Sequence, residues 1–120
     1  MLQIELFSEI LDELAAELPE EFYSELNLGI NISEEAKPHP LAKQDDLFIM
    51  GEYFHTQIGR GIIIYYGSFA KVFSHLTTEA LTNELRHTLR HEFRHHMEGQ
   101  AGERGLEIED ERQLRGYLGQ

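Results

Sequence analysis

Apolar residues near the start of the chain recur at intervals of three and four: Ile4, Phe7, Ile10, Leu11 and Leu14, with Glu and Asp between them. That spacing predicts an amphipathic helix over residues 3–17, with one stripe buried and the acidic face in water. Pro19 ends it, because proline lacks the amide that would continue the helix. "NLGINIS" (27–33) predicts a short strand, and "EEAKPHPLAKQDD", with two prolines among its charges, predicts a loop. "LFIMGEYF" (47–54) predicts a strand, "IGRG" a tight turn, and "IIIYY" (62–66) a second strand pairing with the first as a hairpin. Gly67 breaks that strand, and "SFAKVFSH" predicts a helical turn or two.

The longest periodic segment is "TTEALTNELRHTLRHEFRHHM" (77–97), where Leu81, Leu85, Leu89 and Phe93 step by four along one side. Thr77 or Thr78 suits the N-cap, and Glu79 suits the positive end of the helix dipole. The three glycines of "EGQAGERG" (98–105) predict its end. A last helix is predicted over about 107–118, with Leu114, Tyr117 and Leu118 on one face. This order of elements predicts one α+β domain spanning residues 1–120, with a small antiparallel or mixed sheet.

Composition narrows the chemistry. With no cysteine, disulfides and thiolate metal sites are excluded, so any metal is held by His, Asp or Glu. A formal charge of −12 lacks the basic face that nucleic acid or an anionic membrane requires. Partners are therefore expected to be peptide or protein, with no nucleic acid and no membrane. The N-terminal stretch has neither a basic region nor an unbroken apolar run, which argues against a signal peptide or a membrane span and predicts a cytoplasmic location. The charge is uneven, however, and residues 86–96 hold three arginines and four histidines.

Within that stretch "HEFRH" places His91, Glu92 and His95 in an H-E-x-x-H pattern. Residues four apart on a helix stand one above the other, so both imidazoles can reach one ion, and zinc suits such a pair. Glu92 then projects beside the site, where it can accept a proton from an attacking water. The wheel supports this placement. With Leu81 at zero, the apolar stripe spans about 0° to 120°, Glu92 falls near 20°, His95 near 320° and His91 near 280°. The motif thus flanks the buried stripe, as a cleft wall would. Arg86, Arg90 and Arg94 take the solvent side, and His96, near 60°, is expected to pack inward.

Catalytic zinc takes three protein ligands, and the acid-rich "GLEIEDERQL" (105–114) is the expected source of the third. Glu103, Glu107, Glu109, Asp110 and Glu111 are its candidates. Asp110 shares a helical face with Leu114, Tyr117 and Leu118, Glu107 lies one turn earlier on that face, and Glu109 points nearer Arg112. Spacing favours Asp110 and leaves Glu107 second.

The strand "GIIIYYGSF", the helix with "RHTLRHEFRHH" and the downstream "EDERQL" resemble the small bacterial zincin-like metallopeptidase domains over roughly residues 47–118. The resemblance implies a minimal zincin-like fold: a small sheet packed on the active-site helix, with N- and C-terminal helices. It also implies Zn²⁺ held by His91, His95 and Asp110, with Glu92 as general base. Between His96 and Asp110 the chain is longer than the short glycine turn that the resemblance implies. The expected activity is zinc-dependent peptide-bond hydrolysis, with strand 62–66 as the edge that pairs with extended peptide. The alternative is a zinc-binding module of the same shape that acts through protein contacts without turnover. Tyr65, Tyr66 and Tyr117 are candidate oxyanion donors, although a packing role is the commoner one for each. His87 is expected to be an exposed bystander.

Overall fold

The computed structural model describes residues 1–42 and 47–101. The predicted C-terminal helix and all five acidic candidates for the third ligand (Glu103, Glu107, Glu109, Asp110 and Glu111) lie outside the described residues.

Helix α1 (Ile4–Ala16) leads through a 3-10 turn (Glu20–Tyr23) into β1 (Ile30–Ser33) and β2 (Lys37–Pro38). Then come β3 (Phe48–Ile49), β4 (Gly51–Thr56), β5 (Gly59–Tyr65), α2 (Tyr66–Phe73) and α3 (Thr78–Ala101). The architecture is mixed α+β: three α-helices and a small mixed sheet among the described residues. Sheet order is β1-β5-β4, with β1 parallel and β4 antiparallel to β5. A two-stranded antiparallel pair, β2 with β3, stands beside it.

The predicted hairpin forms, with Gly51 opposite Ile64 and Thr56 opposite Gly59. Its glycines, however, lie within β5 rather than in the turn. The expectation that 62–66 is an edge strand is overturned. β5 is central, with β1 on one side and β4 on the other, and its Ile62 and Ile64 are fully buried. Ile62 and Ile64 turn one face of the strand into the core, while Ile63, on the other face, is half-buried. Among the described residues, the outer strands of this sheet are β1 and β4.

Tyr66 opens α2 rather than closing the strand, and the chain at Gly67 passes tightly against the 34–36 loop. A Cβ on Gly67 would stand 2.4 Å from the Glu34 carbonyl oxygen, so only glycine fits without moving backbone. Lys37–Pro38, predicted as loop, forms a minimal strand against Phe48–Ile49, and its Lys37 amide donates to Ser68 Oγ at 3.0 Å.

One core joins the layers. Phe7, Leu11 and Leu14 of α1 meet Ile62 and Ile64 of β5, Phe69 of α2 and Leu81, Leu85, Leu89 and Phe93 of α3. Each such side chain contributes about 2 kcal/mol by leaving water. Thr77 caps α3 as expected, its Oγ1 accepting the Ala80 amide at 3.1 Å. The helix runs through Gly99 to Ala101, into the glycine-bearing segment 98–105 expected to end it. A mid-helix glycine costs about 1 kcal/mol, and here Gln100, which donates to the Ser24 carbonyl at 2.7 Å, holds the extra turn in place. No helix among the described residues is long and apolar enough to cross a membrane.

Candidate metal centre

Regular α-helix through residues 78–101 puts His91 and His95 one turn apart. Their Nε2 atoms are 3.2 Å from one another, with the ring planes at 89°. Two nitrogens each about 2.0–2.1 Å from a tetrahedral ion would be about 3.3 Å apart. The pair therefore has the separation that a shared zinc ion needs. His91 is exposed and His95 half-buried, so the nitrogens are reachable from solvent.

Glu92 is only 6% exposed. The cause lies in its spacing from Thr88 and His96. Residues 88, 92 and 96 form one ridge along the helix, and β4 lies over it. At one end a Cβ on Gly51 would be 3.1 Å from Thr88 Cγ2. At the other, the Tyr53 hydroxyl is 3.0 Å from His96 Nδ1. Glu92 sits on the ridge between these contacts, so the strand shields it.

The register defines what β4 offers on its outer side. The Tyr65 amide donates to the Met50 carbonyl at 2.9 Å, so residues 50, 52 and 54 turn their backbone groups toward β5. Gly51, Tyr53 and His55 then present N–H and C=O away from β5, on the side where no further strand pairs among the described residues. That edge runs alongside the helix that carries the histidines.

His96 is fully buried, as the wheel predicts. Its Nε2 is 2.8 Å from the Ser24 carbonyl oxygen, which can only accept, so Nε2 carries the proton. Nδ1 is then the acceptor and Tyr53 the donor. Burial pushes the imidazole below its ordinary range, which keeps it neutral. Such a ring packs and orients; both nitrogens are already used.

Among the described residues, no set of three or more His, Cys, Asp or Glu side chains converges as a complete metal site. The residues present supply two donors of the right type and spacing, and Asp110, the expected third, lies outside the described residues. Glu98 shares the face of the pair, three residues beyond His95 and seven beyond His91, but takes Arg94 at 3.1 Å instead. The two described tyrosines among the oxyanion candidates, for which packing is the commoner expectation, are engaged elsewhere. Tyr65 donates to Glu52 at 3.1 Å and accepts from Lys37 at 3.3 Å, while the Tyr66 hydroxyl donates to the Leu2 carbonyl. Tyr117 lies outside the described residues.

Arg86 pairs with Glu17 through two hydrogen bonds of 3.0 and 3.2 Å, and Arg90 and Arg94 face solvent as expected. His87 is exposed, as expected. Tyr53 is a residue that the sequence pattern does not single out. Its signal is the strand period, which puts Gly51 and Tyr53 on one face of β4, together with an inward His96 that needs a partner.

No family model matches the chain, and no curated protein matches it. Among solved structures, a conserved hypothetical protein from Thermo thermophilus is 34% identical, over a match that covers 83% of this chain and 98% of that one. The two superpose with a TM-score of 0.71. At that identity and coverage, the chain belongs to the same family as the Thermo thermophilus protein and shares its α+β fold.

Proposed function

We propose that the protein is a zinc-dependent peptidase built on a minimal zincin-like fold, with His91, His95 and Asp110 as zinc ligands and Glu92 as general base. The single observation that carries this reading is the 3.2 Å separation of the two imidazole Nε2 atoms, with Glu92 on the adjoining ridge under an edge strand. The resemblance of the H-E-x-x-H-H helix and the "EDERQL" segment to bacterial zincin-like domains supports the same assignment.

Zinc, when bound, supplies a Lewis acid for the scissile carbonyl and makes water more acidic. The chain's own residues do the rest. The open edge of β4, not 62–66, accepts an extended peptide through the backbone groups of Gly51, Tyr53 and His55. Glu92 takes the proton from the attacking water and returns it to the leaving amine. Its burial beneath β4 keeps it from wandering into solvent, which holds its carboxylate near the reacting atoms.

The test is metal content of the purified protein alongside His91→Ala and Asp110→Ala. One zinc per chain is expected in the unaltered protein, none in His91→Ala, and weakened binding in Asp110→Ala. Zinc absent from the unaltered protein, with His91→Ala changing neither stability nor metal content, defeats the reading. Stoichiometric zinc without cleavage of a broad peptide library points instead to the silent binding module.

A further inference from the structure

His96 is adjacent to His95 in sequence yet turned the other way, and its two nitrogens join segments far apart in the chain. One takes the Ser24 carbonyl at 2.8 Å, before β1; the other takes the Tyr53 hydroxyl at 3.0 Å, on β4. The Ser24 carbonyl is itself firmly presented. Gln100 donates to it at 2.7 Å, and the next residue, Glu25, holds φ at 64°, an uncommon conformation for a residue other than glycine. A backbone kept in that region is held by its surroundings rather than by its own preference.

We infer that His96 is a positioning residue that fixes how β4, whose register is set by its pairing with β5, sits across α3, and so how the outer edge of β4 stands relative to Glu92 and the His91–His95 pair. The inference rests on the peptidase reading above and adds a role that the H-E-x-x-H pattern does not contain. The geometry is a two-point mount. Close packing of Gly51 on Thr88 sets the spacing between strand and helix at one end, and the Tyr53–His96 hydrogen bond sets their alignment at the other. The two mounting points stand four residues either side of Glu92, so the base lies at the centre of the span they control. The packing contact is non-directional and by itself allows the helix to slide beneath the sheet. The hydrogen bond is directional and does not. Displacing the edge by about an ångström misplaces every backbone group that a bound peptide would use. Substrates held along the edge are therefore sensitive to His96, and substrates too short to pair with it are much less so.

The experiment compares Tyr53→Phe and His96→Gln with the unaltered protein, using an extended peptide library and a blocked dipeptide. Zinc content is measured throughout, and ring-nitrogen NMR is recorded for His96. Tyr53→Phe removes one hydroxyl and carries the test alone if His96→Gln is recovered unfolded. In Tyr53→Phe, zinc stays at one per chain, and kcat for extended peptides relative to the dipeptide falls about fivefold, the worth of one hydrogen bond. NMR finds Nε2 protonated and Nδ1 bare in the unaltered protein, and the Nδ1 resonance moves in Tyr53→Phe. A parallel loss on both substrates, an unchanged ratio in folded variants, or a protonated Nδ1 overturns the inference while leaving the peptidase reading standing. An unaltered protein with neither zinc nor hydrolysis overturns both.

Discussion

In its first half α3 buries Leu81, Leu85 and Leu89, whereas in its second half the buried positions are Glu92, Phe93 and His96. Both halves follow the same helical spacing, yet they meet different neighbours. The first half joins the common core with Phe7, Ile62 and Ile64. The second adds Phe93 to that core but also meets the polar edge of β4 and the Ser24 carbonyl, and leaves His91 and His95 toward solvent. Apolar burial is tolerant of small shifts because it has no direction. Hydrogen bonds to a buried imidazole have direction, and an unmet partner is costly. The helix is thus anchored by its first half and aimed by its second.

Substitutions in the two halves should therefore separate stability from chemistry. The largest effect is expected from Glu92→Gln. Peptide hydrolysis should fall by two to four orders of magnitude, the usual worth of a general base, while zinc content and the thermal midpoint stay near those of the unaltered protein. Steady-state kinetics with metal analysis checks it, and a loss below tenfold would remove Glu92 from its role. Next comes Leu85→Ala in the anchoring half. Its side chain is fully buried, so unfolding should be easier by about 2–5 kcal/mol through lost transfer energy and the cavity left behind. Urea denaturation reads the loss, and zinc stoichiometry in the folded fraction should not change. His91→Ala should do the reverse. The residue is exposed, so metal-free stability should move by no more than about 0.5 kcal/mol, whereas the rise in midpoint on adding zinc should vanish.

The same contrast explains which parts of the molecule are readable from the chain alone. Steps of four in Leu81, Leu85, Leu89 and Phe93 are set by local geometry, and all four are buried as expected. The same wheel puts His96 inward and Arg90 outward. What the wheel does not contain is the partner of each face. "IIIYY" has the composition of a strand, but whether it lies at an edge depends on β1, which pairs with it in parallel from about thirty residues away. Nothing local specifies that crossover, so the local pattern alone makes β5 look like an edge. The strand at Lys37–Pro38 is hidden because its pairing with Phe48–Ile49 comes from packing, against the preference of proline. The two histidines and the proposed base are readable because one helix carries all of them. Tyr53 is not, because its role exists only once β4 lies across α3.

The smallest expected effect lies on the anchoring half, at the Glu17–Arg86 pair. Glu17 is exposed and Arg86 half-buried, and ion pairs at the surface contribute little after side-chain ordering and screening. Hydrogen bonding from Arg86 nevertheless holds the Glu17 carboxyl below its ordinary value of 4.5. A carboxyl whose value is lowered in the folded chain binds protons less readily there than in the unfolded chain. Its contribution is therefore present in full above the unfolded value and is lost as pH falls through the folded one. Glu17→Gln should lower the thermal midpoint slightly at neutral pH and low salt. The difference from the unaltered protein should shrink with added salt and vanish in acid below the folded value. Melting curves across pH and ionic strength test this. A difference that persists in acid or high salt would mean that Glu17 joins α1 to α3 by packing rather than by charge, and would extend the anchoring region beyond the apolar stripe.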